Sequence, residues 1–179
     1  LPFALCIINF PFLFSQNLVP NPSFEDTLSC PQGLDDLSAT KFWYDPNSSS
    51  PDYFNRCNNN LVAVPMNFAG SQSPKTGNAY AGWGFSFGNT SPNSREYLQV
   101  QLTSTLSAGK KYNVSCFLAR SDTFPVALRN IGIALSASAI GMPNGTTIYF
   151  TPQINYSSFL TDTSWVFLSD SIIAVGGEK

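Results

Sequence analysis

The feature that most constrains the fold is an alternation of apolar and polar side chains in the second half of the chain. Within residues 97–103, Leu98, Val100 and Leu102 occupy every second position. A Gly-containing turn follows, and apolar residues again occupy every second position of residues 112–118. A period of two residues is that of a strand with one buried face. The two segments therefore predict neighbouring antiparallel strands joined by a turn.

The composition of the chain also favours strands over helices. Only 11% of the residues are charged and 14% are aromatic, and 13 Pro and 12 Gly residues interrupt the chain throughout. Asn, Ser and Thr compete with helical backbone hydrogen bonds, whereas aromatic and β-branched residues suit strands. Further strands are predicted at residues 17–19, 42–44, 79–87, 131–135, 146–150 and 165–174. Residues 26–77 predict a long loop-rich region within a single all-β domain.

The N-terminal segment has the character of a targeting signal. Residues 1–14 are mostly apolar but too short to span a bilayer, and small or polar residues follow them. We interpret residues 1–16 as a signal peptide that lacks its own start, because no Met and no Lys or Arg precede the apolar run. A membrane anchor and a lipid attached to Cys6 are the weaker alternatives, the second because Leu5 is bulky. The mature domain then spans residues 17–179.

Cysteine usage predicts one disulfide in an exported chain. Cys6 leaves with the signal peptide, Cys30 and Cys57 flank the irregular region, and Cys116 falls on the apolar face of a predicted strand. Export permits oxidation, so a disulfide between Cys30 and Cys57 is expected, with two free thiols as the alternative. Cys116 is expected to be a small buried hydrophobe. A zinc site is disfavoured because the chain contains no His.

Charge and residue content argue against two classes of function. The net charge is -2 and no basic run is present, which disfavours nucleic acid as a partner. The absence of His excludes Ser–His and Cys–His nucleophiles. A glycosidase would need two carboxylates across a substrate, for example Glu25 and Glu96, but no motif pairs them. We therefore expect a protein that is not an enzyme.

An ordered series of short motifs resembles one family of bacterial surface proteins. The motifs are residues 17–25 (NLVPNPSFE), 43–44 (WY), 51–54 (PDYF), 77–82 (GNAYAG), 95–100 (REYLQV), 106–112 (LSAGKKY) and 162–165 (DTSW). They resemble the N-terminal jelly-roll domains that precede OmpA-like peptidoglycan-binding domains, or the sorting domains of type IX secretion cargo. The opening motif and the late AGKxY hairpin are more distantly similar to carbohydrate-binding modules of the galactose-binding-like fold.

This resemblance implies a fold, a location and a metal site. The fold would be a jelly-roll β-sandwich lacking its last strand, since residues 176–179 are similar to the turn before it. The location would be the cell surface or outer membrane, with an anchoring or sorting domain further along the chain. A structural calcium would be held by Glu25, with Asn17 or Asp26, through hard oxygen ligands. The alternative is that Glu25 caps a turn.

Sugar recognition is the function that the residues and the resemblance favour together. Sugar rings stack on aromatic faces through their C–H groups, while amides, carboxylates and guanidinium groups bind the hydroxyls. Tyr97, Gln99 and Gln101 would form a polar stripe opposite the buried face of their strand. The other candidates are Trp43, Tyr44, Tyr53, Phe54, Tyr80 and Trp83, with Asn78 and Arg95 as polar partners.

Two alternatives stay open at this point. Any single Trp or Tyr of an all-β protein is more often a core residue than a ligand platform, and Trp165 is expected to share a buried face with Phe167. Trp83 is in line with Phe85 and Phe87 and would then belong to the core as well. The domain would in that case be a structural or adhesion spacer that binds no glycan.

Overall fold

A computed structural model describes residues 16–86, 94–142 and 147–179. The predicted signal peptide lies outside the described residues except for Gln16. The elements in chain order are a 3-10 helix (Leu37–Ala39), β1 (Trp43–Tyr44), β2 (Asp52–Asn55), β3 (Met66–Asn67), β4 (Gly70–Ser71), β5 (Ala79–Gly82), β6 (Phe85–Ser86), β7 (Ser94–Arg95), β8 (Gln99–Val100), β9 (Lys111–Leu118), β10 (Ile131–Ile133), β11 (Ile154–Tyr156) and β12 (Val166–Ile173). The predicted all-β class is confirmed.

The described strands pair as antiparallel ribbons. The longest is β9 with β12, in a register that sets Leu118 opposite Val166 and Lys111 opposite Ile173. The other pairs are β1 with β8, β2 with β5, β3 with β4, β6 with β7 and β10 with β11. This arrangement is consistent with a β-sandwich.

The larger core lies on the inner face of β9 and β12. Leu118, Leu168 and Ile172 are buried there. Ile154, from β11, and Leu160 belong to the same core cluster. Alternate residues of β9 point inward and the intervening ones face solvent. The burial pattern that the sequence predicts for residues 112–118 is confirmed.

A smaller core forms where the 3-10 helix meets β2 and β5. Tyr53 has no exposed surface and packs against Ala39 and Ala79, with Phe24 at the edge. Its hydroxyl donates to the Phe24 carbonyl oxygen at 2.8 Å and accepts from the Asn55 amide at 2.8 Å. These two bonds satisfy the hydrogen-bonding capacity of the Tyr53 hydroxyl, whose burial without partners would destabilise the fold.

The predicted pairing of residues 97–103 with residues 112–118 is wrong. Only Gln99–Val100 forms a strand in the first segment, and it pairs with Trp43–Tyr44. The segment that leads into β9 bonds instead to the chain beyond β12, since the Leu106 amide donates to the Glu178 carbonyl oxygen at 2.8 Å. Alternation reveals which face of a strand is buried, but the buried face does not select the neighbouring strand.

Other predicted strands differ from the structure in part. Residues 17–19 form no strand, although the Leu18 carbonyl accepts a hydrogen bond from the Thr103 amide at 2.9 Å. Residues 147–150 form none either, and Thr146 lies outside the described residues. The predicted strand at residues 79–87 is interrupted at residues 83–84, and Phe87 is also outside the described residues.

The region predicted to be loop-rich contains four short strands and the disulfide. β1, β2, β3 and β4 all fall within residues 26–77. Cys30 and Cys57 are joined across 27 positions of sequence, which confirms the predicted bond. Cys116 is a free, half-buried thiol whose pKa is raised by burial. The disulfide ties the start of this region to the residues just after β2.

Within the part of the chain that the structure describes, no helix is long and apolar enough to cross a bilayer.

Candidate functional site: an acidic aromatic cleft

A cleft of about 480 Å³ opens between the β2–β5 ribbon and the ends of β9 and β12. Leu118 and Leu160 of the larger core lie at its floor. We call it the acidic aromatic cleft after the side chains that line it. They are the rings of Phe54, Phe68, Tyr80, Trp83, Phe117, Phe124 and Trp165 and the acids Asp35, Asp52, Glu96 and Asp122.

The β2–β5 ribbon supplies one wall of the cleft. Its register sets Phe54 opposite Tyr80 and Asp52 opposite Gly82, and alternation sends Tyr53 to the smaller core on the other side. A Cβ atom on Gly82 would lie 2.8 Å from Cε2 of Phe54. A glycine at this position is therefore what lets the Phe54 ring lie against the neighbouring strand.

The aromatic rings form a continuous series of contacts. Phe54 stacks on Tyr80 with ring centroids 4.8 Å apart and on Phe68 at 5.9 Å. Trp165 meets Tyr80 edge to face at 5.8 Å, and Phe124 meets Phe68 in the same way at 6.3 Å. Such geometries add to the stability that ring burial itself supplies. Phe54, in the middle of the series, is only 2% exposed, so the accessible ring surface belongs to the other members.

Two hydrogen bonds fix the orientation of the rings at one end of the series. The Trp165 indole N–H donates to the Ser73 carbonyl oxygen at 2.8 Å, and the Asn67 amide donates to the Tyr80 hydroxyl at 2.7 Å. Burial raises the pKa of Tyr80 to about 12, so the hydroxyl stays protonated at neutral pH.

The prediction that Trp165 and Phe167 share a buried face is wrong. Trp165 is only half-buried and lines the cleft, and Phe167 is 57% exposed. The inward face of β12 carries Val166, Leu168 and Ile172 instead. Both candidate faces of this segment are apolar, so alternation in the sequence could not distinguish them.

Two carboxylates, those of Asp52 and Glu96, line the cleft wall. Asp52 is 9% exposed, and its Oδ1 accepts a hydrogen bond from the Asp35 amide at 2.9 Å. Glu96 accepts from the Ser50 hydroxyl at 2.6 Å and from the Gly84 amide. Burial raises the pKa of Asp52 to about 6, although the Asp35 amide opposes this shift, and the charges of Glu96 and Asp35 raise it further.

The raised pKa of Asp52 predicts a stability that depends on pH. The folded chain holds this proton more tightly than the unfolded chain, whose group titrates near 3.8, so stability is lost as pH rises through about 4 to 6. Asp52→Asn keeps the acceptor for the Asp35 amide but removes the charge. It should raise the free energy of unfolding by about 1–2 kcal/mol at pH 8, after allowance for solvent screening in the cleft, and by nothing below about pH 4.

Urea denaturation of both proteins at the two pH values measures this difference. Asp162→Asn is the control, since Asp162 is exposed and does not line the cleft. A gain of equal size at both pH values would contradict the electrostatic explanation.

The single guanidinium group that lines the cleft is committed to the backbone. Arg120 donates to the carbonyl oxygens of Thr161, Ser121 and Phe124 at 2.9, 2.9 and 2.7 Å. These bonds hold the loop after β9, which carries Phe124. The Arg120 side chain therefore stabilises the loop at one rim of the cleft by hydrogen bonding.

The structure distributes the predicted sugar-binding residues over several places. Tyr80 and Trp83 are half-buried and line the cleft, and Trp83 also packs against the larger core, as its alternative prediction as a core residue expects. Phe54 lies in the cleft wall but is buried, so its ring offers a ligand almost no surface. Trp43 and Tyr44 line a separate depression of about 490 Å³. The prediction for Tyr53 is wrong, because a ring with no exposed surface cannot contact a ligand.

The predicted polar stripe does not join the cleft. The Tyr97 hydroxyl accepts from the Ile148 amide at 3.0 Å, and the Gln99 amide bonds to the Tyr44 hydroxyl at 2.7 Å. Gln101 is exposed beyond the end of β8, and Arg95 belongs to β7, opposite Phe85. None of Arg95, Tyr97, Gln99 and Gln101 is among the cleft residues.

Glu25 bonds to the turn before β5. Its carboxylate accepts from the backbone amides of Asn78 and Ala79 at 2.7 and 3.0 Å and from the Asn78 side chain at 3.2 Å. Gly77 in this turn has φ +65°, and a Cβ atom there would collide with the Glu25 carboxylate. The geometry is that of a carboxylate that secures a turn.

The calcium site stays a prediction. Asn17 accepts a hydrogen bond from the Val19 amide at 3.0 Å, and Asp26 is exposed. Among the described residues, no three His, Cys, Asp or Glu side chains are grouped so that they could hold a metal ion. Backbone carbonyls are the other ligands that the resemblance implies for Glu25.

Sequence reasoning missed the structural role of Asn21 in the opening motif. Asn21 is buried, and its side-chain amide donates to the Asp26 and Lys41 carbonyl oxygens and to the Thr40 hydroxyl, at 3.0, 3.1 and 2.9 Å. Its Oδ1 accepts from the Asp26 amide at 2.9 Å. The one sequence signal for this role is an Asn before a Pro, which is typical of turn initiation.

Fold and site together define an all-β, disulfide-bonded protein with an acidic aromatic cleft. No protein-family model, no curated protein and no solved structure matches the chain.

Proposed function

We propose that this chain is an exported, non-catalytic glycan-recognition module of a bacterial cell-surface protein and that it binds sugar in the acidic aromatic cleft. The observation that carries the proposal is the series of rings from Phe124 to Trp165, held in place beside hydrogen-bonding side chains. Flat rings suit the C–H faces of pyranoses, and fixed polar groups give orientation and specificity.

Three further features support the proposal. The Cys30–Cys57 disulfide suits an oxidising compartment outside the cytoplasm. The antiparallel ribbons suit the jelly-roll sandwich of the galactose-binding-like fold. The ordered motifs suit a domain that precedes an OmpA-like or type IX sorting domain, which would place it at the outer membrane or outside the cell.

Trp165→Ala tests the glycan proposal. The substitution removes a ring at the cleft edge but leaves the buried faces of β9 and β12 intact. We expect retention on insoluble polysaccharide to fall at least tenfold, because one ring–sugar contact is worth about 1–3 kcal/mol by analogy with base stacking. Pull-down on a panel of cell-wall and plant polysaccharides measures it.

The matched control is Tyr149→Ala. Tyr149 is 89% exposed and does not line the cleft, so its removal should leave retention unchanged. Equal binding by Trp165→Ala and the unmodified chain would show that sugar binds elsewhere. No retention of the unmodified chain on any polysaccharide would support the structural or adhesion spacer instead.

A further inference from the structure

Phe42 has a backbone conformation that disfavours its own residue type. Its φ of 73° lies in the left-handed region, where a Cβ atom crowds the backbone and where Gly, Asn and Asp are the usual residues. Its ring is nevertheless 57% exposed and belongs to neither core among the described residues. Folding therefore loses stability at this backbone and recovers little of it by burying the ring.

Phe24 shows how the fold compensates the same strain at another position. Its φ is 62°, but its ring is half-buried, packs against the smaller core and stacks on Trp43 with ring centroids 4.8 Å apart. The Phe42 ring has no partner ring within the described part of the chain. Glycine or asparagine would suit the backbone at position 42 better, so packing within the fold does not explain a phenylalanine there.

Phe42 lines the depression of about 490 Å³ that Trp43 and Tyr44 also line. Leu28 and Tyr44 lie in the same lining and are 68% and 39% exposed. The Trp43 indole N–H donates to the Asn21 carbonyl oxygen at 2.9 Å, which fixes the chain between the two exposed rings. Carboxylates and hydroxyls complete the lining. Rings held in place beside polar groups suit a sugar, which presents both C–H faces and hydroxyls.

The depression adjoins the acidic aromatic cleft. Asp35 is exposed and lines both, so it lies at their shared rim. The chain from Ser49 to Asp52 separates them, since Ser49 and Pro51 line the depression whereas Ser50 and Asp52 line the cleft. A polymer that leaves the cleft over Asp35 therefore enters the depression.

We infer that the depression is a second sugar subsite, that Phe42 is its stacking ring, and that a polysaccharide bound in the cleft continues across Asp35 to reach it. This inference rests on the proposed function, because the cleft holds the polymer that the depression then contacts. Two linked contacts on one polymer strengthen its retention beyond either contact alone. The strain at Phe42 is then a loss of stability that accompanies binding.

Phe42→Gly tests the inference through two measurements on the full chain. Retention on the panel of insoluble polysaccharides should fall at least about fivefold, because one ring–sugar contact is lost. The melting temperature should not fall and should rise by up to about 2–4 °C, because glycine accepts the left-handed backbone. Phe42→Tyr keeps a ring and should leave both measurements unchanged.

Two further variants are the matched controls. Phe24→Gly removes a packed ring from the same kind of backbone and should lower the melting temperature. Tyr149→Ala removes an exposed ring that lines neither the cleft nor the depression and should leave retention unchanged. Circular dichroism of each variant at the temperature of the binding measurement establishes that a loss of binding is not a loss of folding.

The outcomes separate this inference from the proposed function. A melting temperature that falls as far in Phe42→Gly as in Phe24→Gly would overturn the inference, since the Phe42 ring would then be structural. Unchanged retention of Phe42→Gly, with retention lost in Trp165→Ala, would overturn the second subsite and leave glycan binding in the cleft. Retention lost in Phe42→Gly but unchanged in Trp165→Ala would overturn the path from cleft to depression. No retention of the unmodified chain on any polysaccharide would overturn both proposals.

Discussion

Replacing both Cys30 and Cys57 with serine is expected to lower the free energy of unfolding by about 3–4 kcal/mol. The disulfide closes a loop across 27 positions of sequence. In the chain-entropy model, opening such a loop gives the unfolded chain additional conformational entropy, which stabilises the unfolded state by about this amount. Guanidinium denaturation of the double variant and the unmodified chain measures the change.

The loss should affect the cleft as well as the global stability. The disulfide anchors Cys57 just after β2, which carries Asp52 and Phe54 of the cleft wall. Cys116→Ser is the control, because its thiol is free and only half-buried, and we expect a smaller change there. A double variant as stable as the unmodified chain, with the disulfide shown intact in the latter, would mean that the unfolded chain gains no entropy from the open loop.

Asn21→Ala should destabilise the chain by about 2–4 kcal/mol. The substitution removes four hydrogen bonds and leaves the Asp26 amide and two backbone carbonyls to find other partners in a largely buried setting. Asn21 also has φ 46°, a left-handed conformation that Asn adopts more readily than Ala. Thermal and urea unfolding measure the effect.

Asn17→Ala is the matched control within the same opening motif. Asn17 is exposed and makes one local hydrogen bond to the Val19 amide, so its loss should cost well under 1 kcal/mol. Equal effects at Asn17 and Asn21 would contradict the view that the motif is centred on Asn21. A calcium-dependent stability of the unmodified chain that Asn17→Ala abolishes would instead support the metal site predicted at Glu25, Asn17 and Asp26.

Local patterns predicted the parts of the fold that depend on one segment at a time. β9 follows from a run of alternating residues, because a strand with one buried face needs that period wherever it pairs. The disulfide follows from two cysteines on either side of an irregular region in a chain that is predicted to be exported. The absence of helices longer than one turn among the described residues agrees with a composition rich in Asn, Ser, Pro and Gly.

The cleft could not be predicted in the same way. Its edge residue Trp165 bonds to Ser73 across 92 positions of sequence, and no local pattern carries such a contact. The chemistry of Phe54 and Tyr80 makes them candidates for ring contacts, but the strand that contains Phe54 lies inside a region that the sequence predicts to be loop. Asp52 carried a weak signal only, as part of the motif at residues 51–54.

The sequence by itself determined the all-β class, the inward faces of β9 and the disulfide, because each depends on residue type and spacing within a short stretch or on a single covalent bond. Only the tertiary structure decided which strands pair, that Tyr53 is buried while Trp165 is not, and that Asp52 and Glu96 share one cleft. These features depend on packing between distant segments, where several apolar faces could cover the same core. Shape complementarity and the need to satisfy buried hydrogen-bonding groups decide which face does so.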